Sequence, residues 1–157
     1  MDFWVESEFS WDGAKLQSSV DGGVSWQDVG SLASGGTNWY SDGTIAGLAW
    51  AGVQEGWTNF AAGTGNGTGG WVQAEHELTG LGGQSDVLLR IAFGSDGSVN
   101  TYDGFAFDNI LIRETPADDV GVASIDAPAN GECGYSTTEQ VTVTIENFGT
   151  SPQTGFD

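Results

Sequence analysis

The stretch Lys15-Leu16-Gln17-Ser18-Ser19-Val20-Asp21-Gly22-Gly23-Val24-Ser25-Trp26-Gln27-Asp28-Val29 decides the class of fold. Polar and apolar residues alternate with period two on both sides of Asp21-Gly22-Gly23, as in two half-buried strands. The Asp-Gly-Gly centre supplies residues that tolerate the positive φ angles of a tight hairpin turn. Gly30 stops the second strand. The pattern predicts a β-hairpin over 14–20 and 24–29, with Asp21 bonding its own backbone, Gly23 shaping the turn and Trp26 anchored in a core.

The rest of the chain has the same character. Its 157 residues include 26 Gly, 7 Trp and 8 Phe against 3 Lys+Arg. Glycine-rich turns between short aromatic and β-branched runs indicate an all-β sandwich or barrel, and no window carries the period of an amphipathic helix. The formal charge of -19 excludes the basic footprint of a nucleic-acid binder and argues against attachment to an anionic membrane surface. Such acidity serves solubility, and some of the carboxylates can also converge on Ca²⁺, a hard cation that prefers oxygen ligands. The single Cys133 makes no internal disulfide, and it lacks a basic neighbour to activate it. No run is apolar enough to insert in a bilayer and no signal peptide is visible, so secretion would need a signal outside this sequence.

Strands are expected over 2–9, in the hairpin, over 71–78, over 86–93 as the most apolar and central one, and over 104–112. Residues 31–70 form a long Gly-, Thr-, Asn- and Trp-rich region, interrupted by short strands near 45–50 and 56–60. Loops of that length are uncommon and usually functional. Ala61–Gly70 reads as a hinge or loop tip. Residues 1–114 make one antiparallel β-sandwich of jelly-roll type, and 115–118, with Pro116, a linker. Residues 119–157 hold strands at 119–125 and 140–147, the opening of an incomplete immunoglobulin-like β-domain with edges open to self-association.

Two resemblances follow. Ser19, Asp21, Gly23, Ser25 and Trp26 resemble the Asp-box pattern, which is specific for a hairpin shape and occurs in sialidase propellers and non-catalytic modules alike. Propellers repeat the box, and this chain has it once. Trp4–Glu8, Asp12, Asp21-Gly22-Gly23 with Trp26, Leu88–Phe93 and Gly104-Phe105-Ala106-Phe107-Asp108-Asn109-Ile110 together resemble the calcium-associated, MAM-like jelly-roll modules of large secreted Bacteroidetes-type proteins. Asp119–Ile125 and Val141–Thr150 resemble the start of an adhesion-type immunoglobulin-like (CARDB-like) repeat. The resemblance implies an accessory module for binding or display on an extracellular or cell-surface protein.

The candidate calcium ligands are Glu6, Glu8, Asp12, Asp96, Asp103 and Asp108, with Glu6, Asp12, Asp103 and Asp108 foremost, since neighbouring first and last strands would bring Glu6 or Asp12 to Asp108. Asp108 falls on an apolar strand face and needs a partner: a metal, Arg90 or backbone N–H groups. Trp39, Tyr40, Trp50 and Trp57 lie in the long loop, where flat rings can stack on a polysaccharide or cell-surface glycan; packing as loop anchors is the competing role. Trp4, Trp11, Trp26 and Trp71 are assigned to the core. His76 has no second histidine or HExxH, and no serine motif, which speaks against zinc and triad chemistry. The sequence reading is a non-catalytic, calcium-stabilised adhesion or carbohydrate-binding module. The alternatives are a spacer in a secreted protease or glycoside hydrolase, and a small glycan-active hydrolase using paired carboxylates.

Overall fold

Period-two burial begins at the first strand: Phe3, Val5 and Ser7 are buried while Trp4, Glu6 and Glu8 are only partly so. A computed structural model describes residues 1–59, 67–128, 134 and 137–155, and most of the glycine-rich hinge and Cys133 lie outside the described residues. Among them the fold is all-β: β1 (Asp2–Glu6), β2 (Gly13–Ser19), β3 (Gln27–Asp28), β4 (Val72–Gln73), β5 (Leu88–Gly94), β6 (Gly104–Asp108), β7 (Val120–Ala127) and β8 (Thr142–Asn147). The chain divides into two compact units, Met1–Leu111 and Ile112–Asp157. No helix of the described residues is long and apolar enough to cross a membrane.

In the first unit two antiparallel sheets, ordered β4-β1-β6 and β3-β2-β5, form a sandwich-like core. Phe3 and Val5 of β1 and Phe105 of β6 belong to the same apolar cluster as Ala14 and Leu16 of β2 and Leu89 and Ile91 of β5. Several strands are shorter than alternation predicts. β6 ends at Asp108 because Asn109 turns with φ 50°, and the 71–78 strand shrinks to Val72–Gln73 with an isolated bridge at Glu75.

The long region after Gly30 does not stand off as a loop. Instead of short strands it carries a 3₁₀ helix, Ala46–Ala51, and Trp57 pairs backbone to backbone with Ala14 of β2. Trp57 is fully buried, with Phe3, Trp39, Tyr40 and Phe105 ring centroids at 5.4, 4.8, 4.9 and 5.7 Å. The segment also covers the outer face of β2. Buried Lys15 pairs with Asp28 at 2.9 Å and donates to Val53 O at 2.6 Å; Gln17 Nε2 donates to Ala51 O at 2.9 Å. Gly47 and Gly94 meet backbone to backbone, where a Cβ on Gly94 would lie 2.0 Å from Gly47 O.

The hairpin turn is a closed hydrogen-bonded unit. Gly22 and Gly23 take φ of 73° and 89°; Ser25 N–H and Oγ donate to the Asp21 carboxylate at 2.9 and 2.5 Å, Ser19 Oγ donates to it at 2.7 Å, and Trp26 Nε1 donates to Gly23 O at 3.0 Å. The Ser25 hydroxyl, the Ser25 amide and then Ser19 hold the Asp21 carboxyl well below the usual carboxylate range. Trp26 is half-buried, with the Arg90 guanidinium 4.0 Å from its ring centroid.

The second unit contains the antiparallel pair β7–β8. Val122 faces Ile145 and Ile125 faces Val143, and these side chains remain 38–66% exposed. On the polar side Ser124 and Thr144 donate to Asp126 at 2.6 and 2.7 Å, which lowers its pKa.

Two predictions follow from these contacts. Trp57→Ala should cost about 3–5 kcal/mol by urea denaturation, whereas Trp50→Ala, at an exposed ring, should cost less than about 1 kcal/mol; equal losses would contradict the core assignment. Because the folded pKa of Asp21 is depressed, its contribution to stability is complete above the ordinary carboxylate pKa and is lost as pH falls below it. The melting-temperature gap between wild type and Asp21→Ala should therefore narrow from pH 6 to pH 2, and a constant gap would count against the turn's role.

Candidate metal centre

β1 runs into the turn Phe9–Trp11, closed by Trp11 and Asp12 N–H groups donating to Glu8 O at 3.1 and 2.9 Å. Thr58, next to the core residue Trp57, reaches this turn: its Oγ1 donates to Asp12 O at 2.7 Å, and Ser7 Oγ to the same oxygen at 3.1 Å. The first residues of the 3₁₀ helix tie it from the other side, Ala46 N–H to Ser10 O and Gly47 N–H to Trp11 O, at 2.9 and 2.8 Å. From the neighbouring strand of the same sheet as β2, the segment after β5 places Asp96, whose N–H donates to Asp12 Oδ1 at 2.9 Å.

Glu8, Asp12 and Asp96 consequently present carboxylate oxygens within 4.8 Å of one another, a cluster able to hold a metal ion. Asp12 is 6% exposed, and its second oxygen receives no hydrogen bond from the described residues. Glu8 Oε2 is buried and has no partner among the described residues. Desolvation, then the charges of Asp96 and Asp12, raise the Glu8 pKa above the ordinary carboxylate value. Ser98, through its N–H and then its hydroxyl, lowers that of Asp96. The donor set is all oxygen, and one of its oxygens, Glu8 Oε2, is buried without a donor among the described residues.

The other candidates separate. β1 and β6 are neighbours, but their antiparallel register sets Asp108 opposite Asp2 and Gly104 opposite Glu6. Asp108 therefore lies at the far end of the strand pair from Glu6 and is exposed, with Asn109 N–H donating to its Oδ1 at 2.7 Å. It is not part of the cluster, and Arg90 is not its partner: Nε and Nη2 of Arg90 donate to Gln17 Oε1 at 2.9 and 2.7 Å. Glu6 and Asp103 line a cleft beside Asp12 and Asp96 without joining the three-carboxylate group.

Of the loop aromatics, Trp39, Tyr40 and Trp57 are 8%, 7% and 0% exposed, and so offer no face for a glycan. Their polar tips are engaged inside: Trp39 Nε1 and Tyr40 OH donate to Val29 O, and Trp57 Nε1 to Asn38 O. Trp50 alone of the four is exposed. Conversely Trp11 and Trp71, assigned to the core by sequence, stand 49% and 59% exposed. Alternation marks which residues share a strand face, and both of these lie outside the strands.

A contact that no motif announces joins Ser34 Oγ and His76 Nε2 at 2.7 Å, beside a second cleft of about 530 Å³. His76 packs tilted against Trp39, ring centroids 4.7 Å apart, and its Nδ1 meets Glu77 O at 2.6 Å, so the group orienting the ring is a backbone carbonyl. Ser34 Oγ accepts from Ser31 N–H at 2.7 Å and lies 2.8 Å from Ser31 O, closing its own turn. These contacts account for the pair as loop anchoring.

The raised Glu8 pKa has a consequence for cation-free protein. The folded state binds more protons than the unfolded one between the ordinary and the raised pKa, so stability falls as pH rises through that window. Glu8→Gln in chelator should raise the melting temperature at pH 7, the reverse of losing a satisfied carboxylate; a lower value would contradict repulsion within the cluster.

Comparison with protein-family models, with curated proteins and with solved structures returns no match to this chain.

Proposed function

We propose that residues 1–111 are a non-catalytic accessory module of an extracellular protein, stabilised by Ca²⁺ at Glu8, Asp12 and Asp96. The observation that carries this reading is the meeting of the three carboxylates, with Glu8 Oε2 buried and without a donor among the described residues. The all-oxygen donor set suits a hard cation such as calcium. A bound ion would tie the end of β1 to the segment after β5, joining the two sheets at one end and reducing the negative charge of the cluster. Weak sites of this kind fill outside cells, where modules bind calcium at roughly 10⁻⁴–10⁻³ M. The net charge of -19 and the resemblance of the first and last strands to calcium-associated jelly-roll modules support the same setting.

Adhesion or display is the role this scaffold supports best. The serine–histidine contact is accounted for by loop anchoring, with a backbone carbonyl in the orienting position. The β-branched faces and edges of β7 and β8 support association by strand addition.

Melting with millimolar CaCl₂ and with chelator tests the reading. Calcium at a tenfold excess over Kd adds about 1.4 kcal/mol, a rise of roughly 5 °C for a domain of this size, and Glu8→Gln should lose most of that rise. Identical melting curves with calcium and chelator would overturn the calcium assignment.

A further inference from the structure

The carboxylate cluster opens on a cleft of about 410 Å³, bounded by Asp12 and Asp96 on one side and by Phe93, Asn100 and Tyr102 on another. Phe93 is 41% exposed, an aromatic face beside the metal-binding oxygens. Calcium takes six to eight oxygen ligands, and two of the three carboxylates already accept hydrogen bonds, Asp12 from the Asp96 N–H and Asp96 from Ser98, so the three do not fill its sphere. The remaining positions fall to water or to an incoming ligand. Asp12 links cluster and cleft, since it is nine-tenths buried and its second oxygen receives no hydrogen bond from the described residues.

Charge decides the class of ligand. Glu6 and Asp103 add two carboxylates to the cleft wall, so the site stays negative after one calcium ion has bound. A uronate, sulfate or phosphate is repelled; a neutral polyol is not. Adjacent hydroxyls on a sugar ring present two oxygens to one cation, and the apolar face of that ring suits a half-exposed aromatic side chain.

We propose that the cation at Glu8, Asp12 and Asp96 is a recognition element, completing its coordination with vicinal hydroxyls of a neutral sugar lying against Phe93. The proposal rests on the calcium reading above and places sugar recognition at the acidic cleft rather than at the tryptophan-rich segment, whose rings are mostly core. Asn100 and Tyr102 supply further hydrogen-bonding groups on the wall.

The test is a calorimetric titration of the whole chain with calcium alone, then of the calcium-loaded chain with methyl glycosides of mannose, galactose and fucose. At least one glycoside should bind with calcium present and release on adding chelator. Phe93→Ala should weaken that binding roughly tenfold while leaving calcium affinity unchanged, which also shows the variant is folded. Calcium binding with no calcium-dependent response to any of the three sugars overturns the proposal and leaves the stabilising role intact. Absence of calcium binding removes both. Sugar binding that persists in chelator, or that survives Phe93→Ala unchanged, overturns the proposed geometry.

Discussion

The Trp57–Thr58 dipeptide is where the sandwich and its acidic end become one object. Trp57 pairs with Ala14 through its backbone and gathers Phe3, Trp39, Tyr40 and Phe105 around its indole. Burying a ring of that size is among the larger single contributions a domain of about a hundred residues can make. It also fixes the next residue. Thr58 hydroxyl bonds reach the carbonyls of Asp12 and Glu8 at 2.7 and 3.3 Å, so the turn carrying two of the three clustered carboxylates hangs from the aromatic core.

That linkage gives the acidic end its character. Carboxylates on flexible turns move apart; here Thr58, Ser7, Ala46 and Gly47 hold one turn, and the Asp96 N–H on Asp12 holds the other segment to it. Proximity is imposed by hydrogen bonds and packing, and Glu8 resists ionisation through desolvation first and then the charges of Asp96 and Asp12. Asp12 and Asp96 of the cluster also line a cleft that Phe93 walls on another side.

The all-β class and the closed hairpin were legible because period two and Asp-Gly-Gly are local signals, and the turn's hydrogen bonds lie within Ser19–Trp26. That β1 and β6 adjoin was an expectation from the jelly-roll resemblance, which the pairing bears out, but their register was not legible. Antiparallel pairing sends Asp108 to Asp2 and away from Glu6, a matter of which end of each strand meets which. The tryptophan-rich region misled because glycine and asparagine mark irregular backbone, not exposure. Its rings fill the sandwich because Trp57 adds a bridge to β2, and sequence separation hides that pairing. Asp96 could be placed in a turn but not beside Asp12, 84 positions earlier in the chain.

The most direct test of the account is a crystal structure grown in calcium. It should show one strong density peak about 2.3–2.6 Å from oxygens of Glu8, Asp12 and Asp96, with an anomalous signal for calcium. A water molecule at that position, or a Glu8 side chain turned out to solvent with the cluster dispersed, would contradict it.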